Sequence, residues 1–91
     1  MKYDVQFTNR FRKDLKLAKK QKRDIEKLLD VVEILANGGE LDPKFRDHAL
    51  SGEYTGTREC HIEPDWLLVY RIGKKKLILI LLATGTHSDL F

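Results

Sequence analysis

A chain of 91 residues has room for one packed domain, here residues 1–91, and no second core. Its 42% apolar content supports a core and its 34% charge is mixed in sign, which excludes a disordered tail, a collagen-like chain and a multi-domain enzyme with a large cofactor cradle. No apolar run approaches the roughly 18–20 residues of a membrane span. The longest, Leu77 to Ala83, is strand-sized. The N-terminal segment lacks the apolar stretch of a signal peptide, and a single cysteine, Cys60, excludes an internal disulfide. Both point to a cytoplasmic protein with no membrane partner.

Met1 to Thr8 alternates, with Tyr3, Val5 and Phe7 on one face, and predicts a half-buried strand. Thr8 or Asn9 then suits the N-cap of a helix whose apolar stripe is Phe11, Leu15 and Ala18. A loosely placed turn around Lys19–Arg23 leads to a second helix. Its expected core face is Ile25, Leu28, Leu29, Val32, Leu35 and Ala36, with Val31 and Ile34 off that face and Asn37-Gly38-Gly39 as the stop. Residues 40–56 read as a loop. Three strands follow: Arg58 to Ile62, Trp66 to Ile72, and Lys76 to Leu82. The turns between them are Glu63-Pro64-Asp65 and Gly73-Lys74-Lys75. The last strand is apolar almost throughout and is expected to be central and covered on both faces. Thr86 to Phe91 is a tail. The order βααβββ, without internal repeat, predicts an α+β fold: an antiparallel-rich sheet with two N-terminal helices packed on one face.

The formal net charge is +3, but residues 10–27 hold nine Lys/Arg against three acids, so that segment is +6 and the remainder −3. Arg12, Lys16, Lys19 and Arg23 follow helical spacing and offer a polyanion a stripe of phosphate contacts. A solvated helix face is the plainer reading of the same pattern.

All three histidines lie in the second half: His48, His61 and His87. Histidine suits proton transfer near neutral pH. Strand alternation, with Cys60 and Ile62 facing the core, puts Glu59 and His61 together on the other face as an acid–base or orienting pair, or as the polar outside of a short strand. Cys60 and His61 point to opposite faces and no ligand-pair spacing such as CxxC exists, so no metal is expected. Ser51 and Ser88 lack a nucleophile elbow, no glycine-rich phosphate loop is present, and no cofactor is expected. A metal-free set of imidazoles and carboxylates on a basic domain suits RNA strand scission. There the RNA's own 2′-hydroxyl is the nucleophile, and the protein supplies base, acid and cationic donors.

Three stretches carry a family resemblance: Asp47-His48-Ala49-Leu50-Ser51-Gly52; Arg58-Glu59-Cys60-His61-Ile62-Glu63-Pro64-Asp65-Trp66-Leu67-Leu68-Val69-Tyr70-Arg71; and Thr84-Gly85-Thr86-His87-Ser88-Asp89-Leu90-Phe91. With Lys13-Asp14-Leu15-Lys16 they resemble the YafQ branch of the RelE/ParE toxin–antitoxin superfamily along nearly the whole chain. The resemblance implies a toxin that cleaves messenger RNA on the ribosome and is silenced by a cognate antitoxin. It implicates His48, His61, Asp65, Trp66, His87 and Phe91, with Glu59 at an acidic position of the family. His87 would be the general acid or base, His48 and His61 would assist, and Trp66 and Phe91 would stack on bases or shape the cleft. Family members commonly carry arginine where this chain has Ala83, so Arg46, Arg71 or a lysine would have to supply that charge. Two other readings stand beside it: a non-catalytic ParE-like toxin that inhibits a protein such as DNA gyrase, and a DNA-binding module, for which no base-reading helix is evident.

Overall fold

The computed structural model describes all 91 residues. The elements in chain order are β1 (Asp4–Phe7), α1 (Asn9–Lys20), α2 (Ile25–Ala36), β2 (His48–Ala49), β3 (Arg58–Glu63), β4 (Trp66–Gly73), β5 (Ile78–Gly85) and α3 (His87–Leu90), with short 3-10 turns at Pro43–Phe45 and Gly52–Tyr54. They form one five-stranded sheet in the order β1-β5-β4-β3-β2, antiparallel except for the parallel β1–β5 pair, with α1 and α2 on one face. This is the expected α+β architecture with two additions, the two-residue strand β2 inside the anticipated loop and the short helix α3 in the anticipated tail. No helix is long and apolar enough to cross a membrane.

Local chemistry explains most boundaries. Thr8 caps α1, its Oγ1 accepting from the Phe11 N–H at 3.0 Å, while the hydroxyl donates to the Leu82 carbonyl and ties the helix start to β5. Phe11 and Ala18 are buried beneath α1 as its periodicity requires. The helix ends at Lys20 and Lys22 takes a left-handed φ of 59°, so Arg23 lies in the turn and leaves the expected stripe. Its guanidinium sits 5.4 Å from the centre of the Trp66 ring.

Three expectations change. On α2, Val31 is buried and Leu29 is 51% exposed, because the face that meets the sheet is Leu28, Val31, Leu35 and Ala36. The last strand starts at Ile78, after Leu77 turns with a φ of 52°, and its Ile78, Ile80 and Leu82 are only half-buried. The strand covered on both faces is β4, in which Trp66 through Tyr70 are all buried. On the first strand Tyr3 is buried but Phe7 is half-exposed against the Phe11 ring.

Trp66, Leu68, Tyr70, Leu79 and Leu81 form the main core with the helices, while Leu67, Val69, Ala83 and Leu90 form a small second core on the other face. Between Val69 and Tyr70 the β4–β5 register shifts, leaving Leu82 without a partner. That bulge lets Leu81 and Ala83 face opposite sides although they are two residues apart.

Adjacent leucines on α2 give a direct check. Leu28→Ala should cost roughly 2–5 kcal/mol, whereas Leu29→Ala should stay within about 0.5 kcal/mol. Urea midpoints at unchanged slope would read both. Similar destabilisation at the two positions would show the helix rotated from this placement.

Candidate active site

The sheet register assembles the site on the face away from α1 and α2. His48, Glu59, Val69 and Ala83 fall in one row across four strands, and His61, Leu67 and Gly85 in the next. Glu59 is 5% exposed, and its Oε1 lies 3.6 Å from Nε2 of both His48 and His61. A carboxylate withdrawn this far from water requires partners. The two imidazoles flank it.

His87 arrives from the chain end. Thr86 and Asp89 form a reciprocal capping box that starts α3, and Gly85 makes room for it: a Cβ there would meet the Asp89 side chain at 3.0 Å. The His87 ring then packs 5.5 Å from the His61 ring, which is 6.4 Å from that of His48. Asp65, in the β3–β4 turn, receives the His87 backbone N–H at 3.0 Å and its Nδ1 at 2.7 Å, both on Oδ1.

Each imidazole is held by Nδ1. The acceptors are the Arg46 carbonyl for His48 at 2.7 Å, the Pro64 carbonyl for His61 at 3.3 Å, and the Asp65 carboxylate for His87. A carbonyl only accepts, so Nδ1 carries the hydrogen in His48 and His61 and their Nε2 is left for other work. The His87 backbone N–H, then its ring N–H, hold the Asp65 carboxyl below the usual carboxylate range. Burial pushes the Cys60 thiol up to about 12, which leaves it inert packing.

The remaining candidates divide. Phe91 is exposed and meets the Tyr54 ring edge-on at 5.1 Å, forming an aromatic wall in which Tyr54 is a residue that sequence reasoning missed. Arg71 lies on the histidine face beside Gly56. Arg46, in a left-handed turn, lines a cavity of about 620 Å³ with Lys44, His61 and Pro64. Trp66 is corrected: it is fully buried on the helix side, with no face free to stack on a base. Ala83 is 4% exposed in the apolar floor. Arg12, Lys16 and Lys19 are exposed on α1, across the sheet from the histidines. Ring nitrogens of His61 and His87 and a Glu59 oxygen lie within 4.8 Å of one another, a donor set that suits a transition-metal cation. Local spacing gave no sign of it, because β3 and α3 meet only in the fold.

The Asp65 contact is testable by titration. Its carboxyl should protonate below the ordinary ~3.9, so whatever the contact contributes to stability is present above that value and lost as pH falls through the folded-state pKa. His87→Ala removes the imidazole but keeps the backbone donor, and the Asp65 midpoint should rise only part of the way. A wild-type midpoint at or above ~3.9 in a carboxyl-carbon NMR titration would show the pair unformed.

Known proteins share this fold and much of this sequence. Residues 3–91 match the family model described as the bacterial toxin of type II toxin–antitoxin system, YafQ. The mRNA interferase toxin YafQ of Escherichia coli (strain K12) is 38% identical over 89 residues, covering 97% of this chain and 95% of the relative. A metal-bound toxin from Helicobacter pylori superposes with a TM-score of 0.93 at 43% identity, over 98% of this chain and 99% of that one. The toxin of the E. coli DinJ–YafQ complex does so with a TM-score of 0.89 at 37% identity, over 98% of each chain. The match spans the sheet and both long helices: this chain belongs to the YafQ family, bacterial toxins of type II toxin–antitoxin systems.

Proposed function

We propose that this toxin is an endoribonuclease that cleaves messenger RNA on the ribosome and is held inactive by a cognate antitoxin. Relatives named mRNA interferase and a relative in complex with the antitoxin DinJ support the reading. The observation that carries it is the set of three Nδ1-anchored imidazoles around a buried carboxylate.

The reaction supplies its own nucleophile. A base removes the 2′-hydroxyl proton, the 2′-oxygen attacks the adjacent phosphorus, and an acid protonates the departing 5′-oxygen. The products are a 2′,3′-cyclic phosphate and a 5′-hydroxyl end. His87, oriented by Asp65, takes one of these proton transfers through Nε2. His61 and His48, held about Glu59, serve the other and position the message. Arg71 and Arg46 approach from the rim as the cations for the crowded phosphorane, and Phe91 with Tyr54 offers a stacking wall. On the opposite face Arg12, Lys16 and Lys19 contact ribosomal RNA phosphates, so the sheet separates docking from chemistry.

Mapping RNA 5′ ends after brief induction tests the chemistry. New 5′-hydroxyl ends should appear within translated messages and vanish with His87→Ala at matched folded concentration, a rate loss of roughly 10²–10⁴. Undiminished cleavage by that variant would remove His87 from its role. Glutamine at Arg12, Lys16 and Lys19 together should weaken ribosome association and flatten its salt dependence by about 0.7–0.9 for each phosphate no longer neutralised. An unchanged slope would make the stripe a solvated face.

A further inference from the structure

Residues 37–57 contain little regular structure beyond two 3-10 turns and the two residues of β2, yet they deliver His48 to the site. The ladder that holds β2 consists of the pairs His48–Glu59 and Ala49–Arg58. Two pairs at a sheet edge are a weak restraint on a ring whose Nε2 must stay beside Glu59.

A second restraint acts one residue earlier. Asp47 turns toward the helix side, where the Tyr70 hydroxyl donates to its Oδ1 at 2.5 Å. Arg58 closes on the same carboxylate, Nε to Oδ1 at 3.4 Å and a terminal nitrogen to Oδ2 at 3.3 Å. Tyr70 and Arg58 are paired across β3 and β4, so both donors converge from one spot on the sheet. Tyr70 is 1% exposed, and burial followed by the Asp47 contact raises its phenol well above the usual range. The hydroxyl therefore remains a donor at any working pH. With Asp47 pinned to one face, alternation sends His48 to the other. The flanking Arg46 carbonyl, which receives His48 Nδ1–H, is fixed by the same anchor.

We infer that Asp47, gripped by Tyr70 and Arg58, is a positioning latch for message cleavage, holding the His48 imidazole and its Arg46 acceptor in place beside Glu59. The latch rests on the proposed role of His48. It makes Tyr70 and Asp47 positioning residues that never touch the message.

Tyr70→Phe removes one oxygen and keeps the ring volume, so the core stays filled. On programmed ribosomes, at matched folded concentration, kcat should fall roughly 10- to 100-fold with KM little changed, as expected for a displaced reacting group. Asp47→Asn keeps one oxygen for the Tyr70 hydroxyl and Arg58 Nε but loses the acceptor for the terminal Arg58 nitrogen, so it should lose less than Asp47→Ala, which should lose at least as much as Tyr70→Phe. In the imidazole nitrogen NMR spectrum, Tyr70→Phe should abolish the single Nδ1–H form of His48 and leave the His61 and His87 signals in place. A merely structural role would lower the unfolding midpoint and move neither the per-molecule kcat nor that signal. In a His48→Ala background Tyr70→Phe should cost nothing further. Full activity of Tyr70→Phe beside an inactive His48→Ala would overturn the latch alone. A fully active His48→Ala would overturn the role proposed for His48, and the latch with it.

Discussion

Strand β4 has to be dry on both faces, and the rest of the molecule is arranged around that requirement. Its Trp66, Leu68 and Tyr70 are covered by the amphipathic pair α1 and α2, which can bury a broad face against a sheet. Its Leu67 and Val69 look the other way, and a chain of this length has no further long helix to cover them. Cover comes from Leu50 in the turn-rich segment and Leu90 in α3, packed with Leu82 and Ala83. A four-residue helix does not hold itself together in water. Burying one leucine contributes about 2 kcal/mol, enough to matter for so short an element. The segments recruited to keep the second face dry are the ones that carry His48 and His87. The polar cluster is thus the margin of a thin apolar patch.

Electrostatics divides the three rings into two kinds. His48 and His61 are tied to neutral carbonyls, which set the tautomer and direct Nε2 toward the same buried Glu59 oxygen. His87 is tied to an exposed carboxylate that its own N–H groups keep ionised. His87 stands 2.7 Å from the Asp65 carboxylate, whereas His48 and His61 each face Glu59 at 3.6 Å. The proposed reaction, in which one proton is accepted and another given, would find imidazoles in two different settings here.

How far the sequence could be read follows from the range of the interactions concerned. The strand at Arg58, the capped helix at Thr8 and the placing of Glu59 with His61 depend on alternation and periodicity within a few residues, and each was legible. The swap of Val31 for Leu29 was not, because apolar residues cover more than half the circumference of α2 and only contact with the sheet selects which part of that face is buried. Ala83 had no readable face because a bulge at Leu82 breaks alternation inside an unbroken apolar run. The resemblance put Trp66 at the cleft, and no local pattern separates a turn-flanking cleft aromatic from a core anchor; burial on the helix side decides for the core. The grip of Tyr70 and Arg58 on Asp47 spans 23 and 11 residues, a separation at which no local pattern survives.

Ala83 shows what the apolar floor imposes. It shares a row with Val69, Glu59 and His48, two strands from Glu59, or about 10 Å at ordinary strand spacing. An arginine there would have to lift a guanidinium out past Leu67, Val69 and Leu90, burying its stem in the patch that α3 depends on. Alanine leaves that patch intact and leaves the floor uncharged. In the proposed reaction positive charge would then reach the phosphate from the rim, through Arg71 beside Gly56 and Arg46 beside His61. Both rim arginines are exposed to solvent, and screening there makes them contribute less per charge than a cation fixed in a dry floor. In the proposed reaction this shifts the work toward the three histidines, and hence toward whatever holds them still: Asp65 for one, the Asp47 latch for another, and the sheet itself for the third.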